Sequence, residues 1–220
     1  MKICHLNPTY ADLSFEKELL RGTGVELASS VVDNAEEIQR AAEDADAILT
    51  VVVPVDAGLV GNLQKCRAIV RLDVGYEMVD VESCRKKGIH VCHVPDYGTE
   101  EVANHAIGLL FSVHRRILSY DRKVRNCQWG HALPWPIHRL STPRVDVVGL
   151  GRIGSSFARS IKAFVRDVVG FDPFFAADQL GVANVQKMSL ESLFETSDII
   201  SLHLPLSEKP IISSLLRGSL

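Results

Sequence analysis

The sequence is notable first for what it lacks. Its 220 residues contain no run approaching the ~18 consecutive apolar residues of a membrane-spanning helix, so no span is expected. The opening Met1-Lys2-Ile3-Cys4-His5 has no apolar signal core and reads as a first strand. Like charges never run to about five in succession, and the net charge is only −3, which argues against an electrostatic nucleic-acid or membrane surface. The five cysteines (Cys4, Cys66, Cys84, Cys92 and Cys127) are odd in number, scattered and without a C-x-x-C pair. That pattern argues against a disulfide framework, and free thiols in a reducing, cytoplasmic compartment are the simplest reading. Internal repeats and low-complexity tracts are absent too. What is present is a hydrophobic fraction of 46%, enough for a packed core.

The chain is organised around Val145-Asp146-Val147-Val148-Gly149-Leu150-Gly151-Arg152-Ile153-Gly154. A strand-like run meets G-x-G-x-x-G, a helical run follows, and a second strand-like run ends at Asp172, 23 residues beyond Gly149. Each glycine has a physical reason. Gly149 permits the tight turn, Gly151 leaves room for a pyrophosphate, and Gly154 lets helix and strand approach closely. The helix N-terminus offers free N–H groups and the positive end of its dipole. Asp172 lies near the ~20-residue spacing expected of the acid that takes the ribose hydroxyls. Its charge would repel a 2′-phosphate, and Pro173, Phe174 and Phe175 supply no arginine to receive one. The pattern therefore points to NAD over NADP.

Strand and helix signals alternate through the first hundred residues. Strands are expected near 3–6, 25–32, 47–53, 68–72 and 89–94, and helices near 14–21, 35–43, 57–63 and 81–87. Asp33 or Asn34 is placed to cap the second helix. This order predicts a doubly wound parallel sheet. Residues 100–124 then predict one long helix with Thr99 as its N-cap, carrying Val102, Ala106, Leu109, Leu110, Val113 and Ile117 at helical spacing. Residues 126–144 are irregular. The nucleotide motif opens a second α/β run, with further strands near 168–171, 185 and 199–204 and a helix near 190–195.

Several ordered stretches together resemble the NAD-dependent D-isomer-specific 2-hydroxyacid dehydrogenases, most of all the phosphoglycerate-dehydrogenase-like and C-terminal-binding-protein-like branch. Arg71-Leu72-Asp73-Val74-Gly75-Tyr76-Glu77-Met78-Val79-Asp80 resembles that family's substrate loop, R-x-G-x-G-x-D-N-I-D. Residues 94–105 resemble its crossing helix, and residues 136–140 precede GLGRIG as in that branch. Phe171-Asp172-Pro173 resembles its Y/F-D-P, and residues 198–206 resemble its D-x-V-S-L-H-L-P-L. The resemblance implies a flavodoxin-like substrate domain over 1–100 and a Rossmann NAD-binding domain over 101–220, both of class α/β with doubly wound parallel sheets. It implies hydride transfer between nicotinamide and a small 2-hydroxy or 2-keto acid. It assigns substrate contacts to the backbone of Val74 and Gly75. Cofactor contacts fall to Val102, Gly149, Gly151, Arg152, Ile153, Gly154, Asp172, Pro173, His203, Leu204 and Pro205.

The family's chemistry also needs an Arg for the substrate carboxylate, a His for the hydroxyl proton and a Glu to orient that His. No counterpart of the three is recognised through Leu220, and Arg217-Gly218 follows Leu215-Leu216 where the family has a helix. The nucleotide domain is thus expected to be incomplete at its C-terminal end, the catalytic residues unassigned and the chain without turnover. A non-catalytic NAD(H)-responsive binding protein, like the C-terminal-binding-protein corepressors, is the alternative. Strand 198–204 would be left as a sheet edge, which favours a homodimer or larger self-association. Neither a metal nor nucleic acid is expected as partner. His90, Cys92 and His93 alternate along one strand and cannot converge on an ion. His105 and His114 suit packing, and His131 and His138 lack a carboxylate at meaningful spacing. Three further departures invite strain or cost. Asp73 replaces a glycine, Asp146 sits in a strand that should be buried, and Val165 replaces the glycine expected to end a helix.

Overall fold

The structure, a computed structural model, describes residues 1–130, 136–174 and 185–205. The chain divides into two compact units, Met1–Tyr97 and Gly98–Leu220.

In the first unit, strands β1 (Lys2–Leu6), β2 (Glu26–Ser30), β3 (Ala47–Thr50), β4 (Ala68–Arg71) and β5 (His90–His93) form one parallel sheet in the order β2-β1-β3-β4-β5. This is the flavodoxin-like doubly wound order. In-register neighbours share a face, so Cys4, Ile48 and Ile69 stack across three strands, and each is essentially inaccessible. They meet apolar side chains that include Ala42, Val60 and Cys84, from helices α2 (Ala35–Ala42), α3 (Ala57–Asn62) and α4 (Val81–Lys87). Each helix starts on a polar cap. Asn34, Asp56 and Asp80 accept the N–H of Glu37, Leu59 and Ser83 at 3.0, 2.8 and 2.9 Å, each cap contributing about 1 kcal/mol. The short α1 (Ser14–Leu19) precedes β2. β3 ends at Thr50, short of the expected residue 53. The Thr50 hydroxyl donates to Val53 O and accepts Val53 N–H, which closes a turn.

In the second unit, β6 (Arg144–Val148), β7 (Asp167–Phe171), β8 (Gln186–Lys187) and β9 (Ile199–Leu202) form a parallel sheet in the order β8-β7-β6-β9. That is 3-2-1-4 in chain order, the first part of a Rossmann sheet. α7 (Arg152–Ile161) lays Phe157, Ala158 and Ile161 into the core, all fully buried, with Ala103 and Leu110 of α5 (Thr99–His114) against them. Full burial of Phe157 contributes about 1.5–3 kcal/mol. α8 (Leu190–Thr196) begins on Ser189, whose hydroxyl accepts Ser192 N–H at 3.2 Å.

The single helix expected over 100–124 is two. α5 stops at His114 and α6 (Ile117–Arg125) begins after Arg116, which has φ 58°. The apolar periodicity runs through the break, and no glycine or proline marks it. The left-handed residue costs roughly 1–2 kcal/mol, and no local residue preference accounts for it. Thr99 is not the N-cap. Gly98 holds that place and Thr99 is the first helical residue. Val165 has ordinary negative φ and is buried in the core, so its turn carries no left-handed strain. Asp73 and Gly75 likewise lie outside the positive-φ region, so this turn does not require glycine at either position.

Candidate nucleotide site and substrate turn

The turn between β6 and α7 is held from three sides. Gly149 N–H donates to Phe171 O, His203 N–H donates to Val148 O, and the Ser155 hydroxyl donates to Leu150 O, at 2.8, 2.8 and 2.7 Å. Gly149 has φ +94°, and a Cβ there would lie 2.8 Å from the His203 carbonyl carbon and closer still to its oxygen. A Cβ on Gly154 would lie 3.0 Å from the Gly149 carbonyl carbon, with the oxygen nearer. Both positions exclude a side chain because backbone passes against them. Gly151 is different, since a Cβ there meets nothing within 4 Å. The space above it is free, and it is the N-cap of α7. The first-turn N–H groups of such a helix have no intrahelical acceptor, and they converge on that space. A cradle that a methyl group would fill, at a helix N-terminus, fits a pyrophosphate.

Asp172 closes the site at the end of β7. Its two carboxylate oxygens accept Leu150 N–H and Phe174 N–H, each at 2.8 Å. The acid therefore ties the glycine turn to the next strand, and each oxygen keeps a lone pair for a sugar hydroxyl. Pro173 follows Asp172, and Phe174 is almost wholly exposed. Phe175 and residues 206–220, with Arg217, lie outside the described residues.

His203 lies just beyond β9. Its Nε2 is 2.9 Å from the Ser201 hydroxyl, and its ring is tilted against Phe157 at 5.1 Å. Burial pushes its pKa below the ordinary imidazole value. Among the described residues no carboxylate hydrogen-bonds the ring, so burial is the cause that acts on it. Val102, on α5, shares a groove of about 730 Å³ with Leu109, Val113, Ile200, Leu202 and His203. Sequence reasoning missed this groove, although exposed apolar residues at helical spacing on α5 carried its signal.

Asp146 is buried as its strand position implied, and the cost is met by pairing. It is fully buried, but Arg144 Nε reaches Oδ1 at 3.1 Å and the Ser197 hydroxyl donates to Oδ2. Arg144 is two residues away on the same strand, a partner that periodicity alone could have suggested. Ser197 comes from far along the chain and could not have been read locally.

In the first unit, the turn after β4 holds Val74 and Gly75. Val74 N–H donates to Asp73 Oδ1 at 2.7 Å, and Arg71 Nη2 donates to Asp73 Oδ2 at 3.1 Å. Tyr97 O–H also donates to Asp73, at 3.3 Å. His93 Nδ1 is 2.7 Å from Val74 O, and its ring packs edge-on to Tyr76. These groups lie at the carboxyl end of a parallel sheet, where open α/β sheets take ligands.

Residues 107–211 match the family described as D-isomer specific 2-hydroxyacid dehydrogenase, NAD binding domain. The chain is 33% identical over 171 residues to the glyoxylate reductase of Korarchaeum cryptofilum, covering 76% of this chain and 52% of that protein. The chain belongs to the D-isomer-specific 2-hydroxyacid dehydrogenase family. It spans about half the length of the curated glyoxylate reductases it matches. Two solved structures share the fold. An acyclic imino acid reductase in complex with NADPH and D-Arg superposes with a TM-score of 0.85 at 23% identity, covering 99% of this chain and 69% of its own. The D-lactate dehydrogenase of Aquifex aeolicus, complexed with NAD and lactic acid, superposes with a TM-score of 0.83 at 24% identity, covering 94% and 62%. NAD is the cofactor of the matched domain. In this family member the Gly149–Gly154 turn and Asp172 carry the G-x-G-x-x-G and acid of a nucleotide fold, and the open space over Gly151 fits the cofactor's phosphates. None of the described helices is long and apolar enough to cross a membrane.

Proposed function

We propose that this protein binds NAD(H) in its second unit and serves hydride transfer between nicotinamide and a small 2-hydroxy or 2-keto acid. The observation that carries this is the free space over Gly151 at the N-terminus of α7, flanked by two glycines that backbone contacts require and closed by Asp172. The bound cofactor supplies the hydride acceptor or donor. The chain's own residues bind and orient it. First-turn N–H groups at Arg152, Ile153 and Gly154 receive the pyrophosphate, Asp172 with Pro173 beside it takes the ribose, and His203, Leu204 and Pro205 flank the nicotinamide side. Val102 borders the same region, and Val74 and Gly75 face the acid. The working compartment is the cytoplasm.

A polypeptide of these 220 residues is expected to bind NADH without turning over 2-keto acids. The arginine, glutamate and histidine that the family uses on its substrate have no assigned counterpart among them, and losing members of a catalytic unit removes most of its rate. The occupation of Val74 N–H by Asp73 favours a second reading, a non-catalytic NAD(H)-responsive binding protein. NADH and NADPH titrations by fluorescence test the first reading, together with Asp172→Ala. The unmutated protein should prefer NADH, and the variant should bind NADH about tenfold more weakly with a narrower gap to NADPH. Equal affinities in the unmutated protein would overturn the NAD assignment. Ready oxidation of NADH by glyoxylate or hydroxypyruvate would overturn the expectation of no turnover.

A further inference from the structure

The turn after β4 is built to hold an anion. Arg71 is more than nine-tenths buried, and its Nε donates to Val51 O at 2.8 Å, which fixes the guanidinium in place. Among the described residues its buried Nη1 has no acceptor, so the guanidinium keeps a donor to spare. The Val74 N–H projects from the same turn, and a carboxylate across a backbone N–H and a guanidinium makes two charge-assisted bonds. Such a carboxylate is already present. Asp73 spans Val74 N–H and Arg71 Nη2. Glu77 folds back over the next residue, where a Cβ on Gly75 would lie 3.1 Å from the Glu77 Cδ. The chain thus brings two of its own acids onto the turn that a small acid would use.

We propose that Asp73 is a built-in occupant of this turn and sets its selectivity, closing the Val74 N–H and the Arg71 guanidinium to the carboxylate of a small 2-oxo or 2-hydroxy acid. The inference rests on the reading of Val74 and Gly75 as the seat of the substrate's carboxylate. Two effects act together. An external acid must displace a tethered carboxylate one residue from its donor, which competes at high effective concentration. It must also approach a like charge that remains nearby once displaced. Glycine at position 73 removes both effects. Asparagine removes only the charge, since its amide oxygen can still accept from Val74 N–H. The backbone at 73 has ordinary φ, so neither replacement is asked to adopt a strained conformation.

The test is a titration with sodium oxalate followed by the backbone amide resonances of Val74 and Gly75. In the unmutated protein these amides should respond weakly. In Asp73→Gly they should shift saturably, with binding at least tenfold tighter. Asp73→Asn should fall between, at least threefold tighter than the unmutated protein, and it carries the test if the glycine variant does not fold. Oxalate binding at these amides as tight in the unmutated protein as in the variants would overturn the proposal. So would a folded Asp73→Gly whose two amides ignore oxalate. NADH binding by the unmutated protein is measured separately. Its absence would overturn the functional reading while leaving the oxalate comparison readable.

Discussion

Gly151 and Gly154 stand three residues apart in one turn, yet alanine at each should fail for different reasons. At Gly154, the added methyl would sit 3.0 Å from the Gly149 carbonyl carbon, inside contact with its oxygen, and 3.3 Å from the His203 Cβ. Ordinary van der Waals separation between such carbons is roughly 3.5–4.0 Å. The obstruction is mostly backbone, so relief requires moving α7 away from the end of β6. Overpacking of this kind costs about 1–3 kcal/mol. For a unit of this size that corresponds to a fall in Tm of roughly 4 °C or more. The same displacement shifts the phosphate-binding N–H groups, and NADH affinity should fall at least about tenfold, or 1.4 kcal/mol. At Gly151 nothing lies within 4 Å of the new methyl, and alanine forfeits only the N-cap preference, at most about 1 kcal/mol. The methyl would instead project into the space assigned to the pyrophosphate. Gly151→Ala should therefore lose NADH binding with Tm little changed, whereas Gly154→Ala should lose both. Thermal unfolding by circular dichroism and NADH fluorescence titration separate the two. Gly151→Ala binding NADH like the unmutated protein would refute the placement of the phosphates. An unchanged Tm in Gly154→Ala would refute the packing argument.

Other consequences follow from the same geometry. Arg144→Ala leaves the Asp146 carboxylate buried with only the Ser197 hydroxyl as side-chain partner, so urea denaturation should show a loss of about 3–5 kcal/mol. A loss below 1 kcal/mol would mean the pair is replaceable by solvent. His5 is buried with neither ring nitrogen partnered among the described residues, and burial lowers its pKa below the ordinary value of 6.5. The folded state therefore excludes a proton that the unfolded chain accepts. Its contribution is complete above pH 6.5 and declines as pH falls toward the folded pKa, by at most about 1.4 kcal/mol per pH unit. His5→Leu should flatten that part of the stability–pH profile, and an unchanged slope would contradict the assignment. Among the described residues β9 pairs only with β6, and its run Ile199–Leu202 is uncharged. The isolated chain should self-associate, and Ile200→Lys should reduce this in sedimentation velocity. A clean monomer at tens of micromolar, roughly where exposed edges aggregate, would rule the edge out as the cause.

Much of the fold could be read from local pattern. Alternating apolar strands and capped helices predict two parallel sheets, because each strand must bury both faces and each helix one. The caps at Asn34, Asp56 and Asp80 act within a single turn, so their partners lie three residues away and need no tertiary knowledge. The break at Arg116 was not legible. No residue there prefers a left-handed conformation, and the apolar spacing continues across it. The site divides the same way. The roles of Gly149 and Gly154 follow from the motif, while the backbone atoms that enforce them include the His203 carbonyl, more than fifty residues from Gly149 in sequence.

By itself, the sequence determined the class of both sheets, the glycine turn, the acid that closes it and the family to which the chain belongs. These depend on residue type and on spacings along one strand–turn–helix unit, where covalent geometry restricts the outcome. Tertiary structure decided three matters. It supplied Ser197 from α8's end, beside Arg144, to neutralise the cost of burying Asp146. It left Gly151 open while packing backbone against its two neighbours in the motif. And it turned Asp73 onto Val74 N–H and Arg71, converting a departure from the family pattern into a contact inside the turn after β4. Each of these depends on where a side chain or backbone group points once distant segments have packed, and no local propensity encodes that direction.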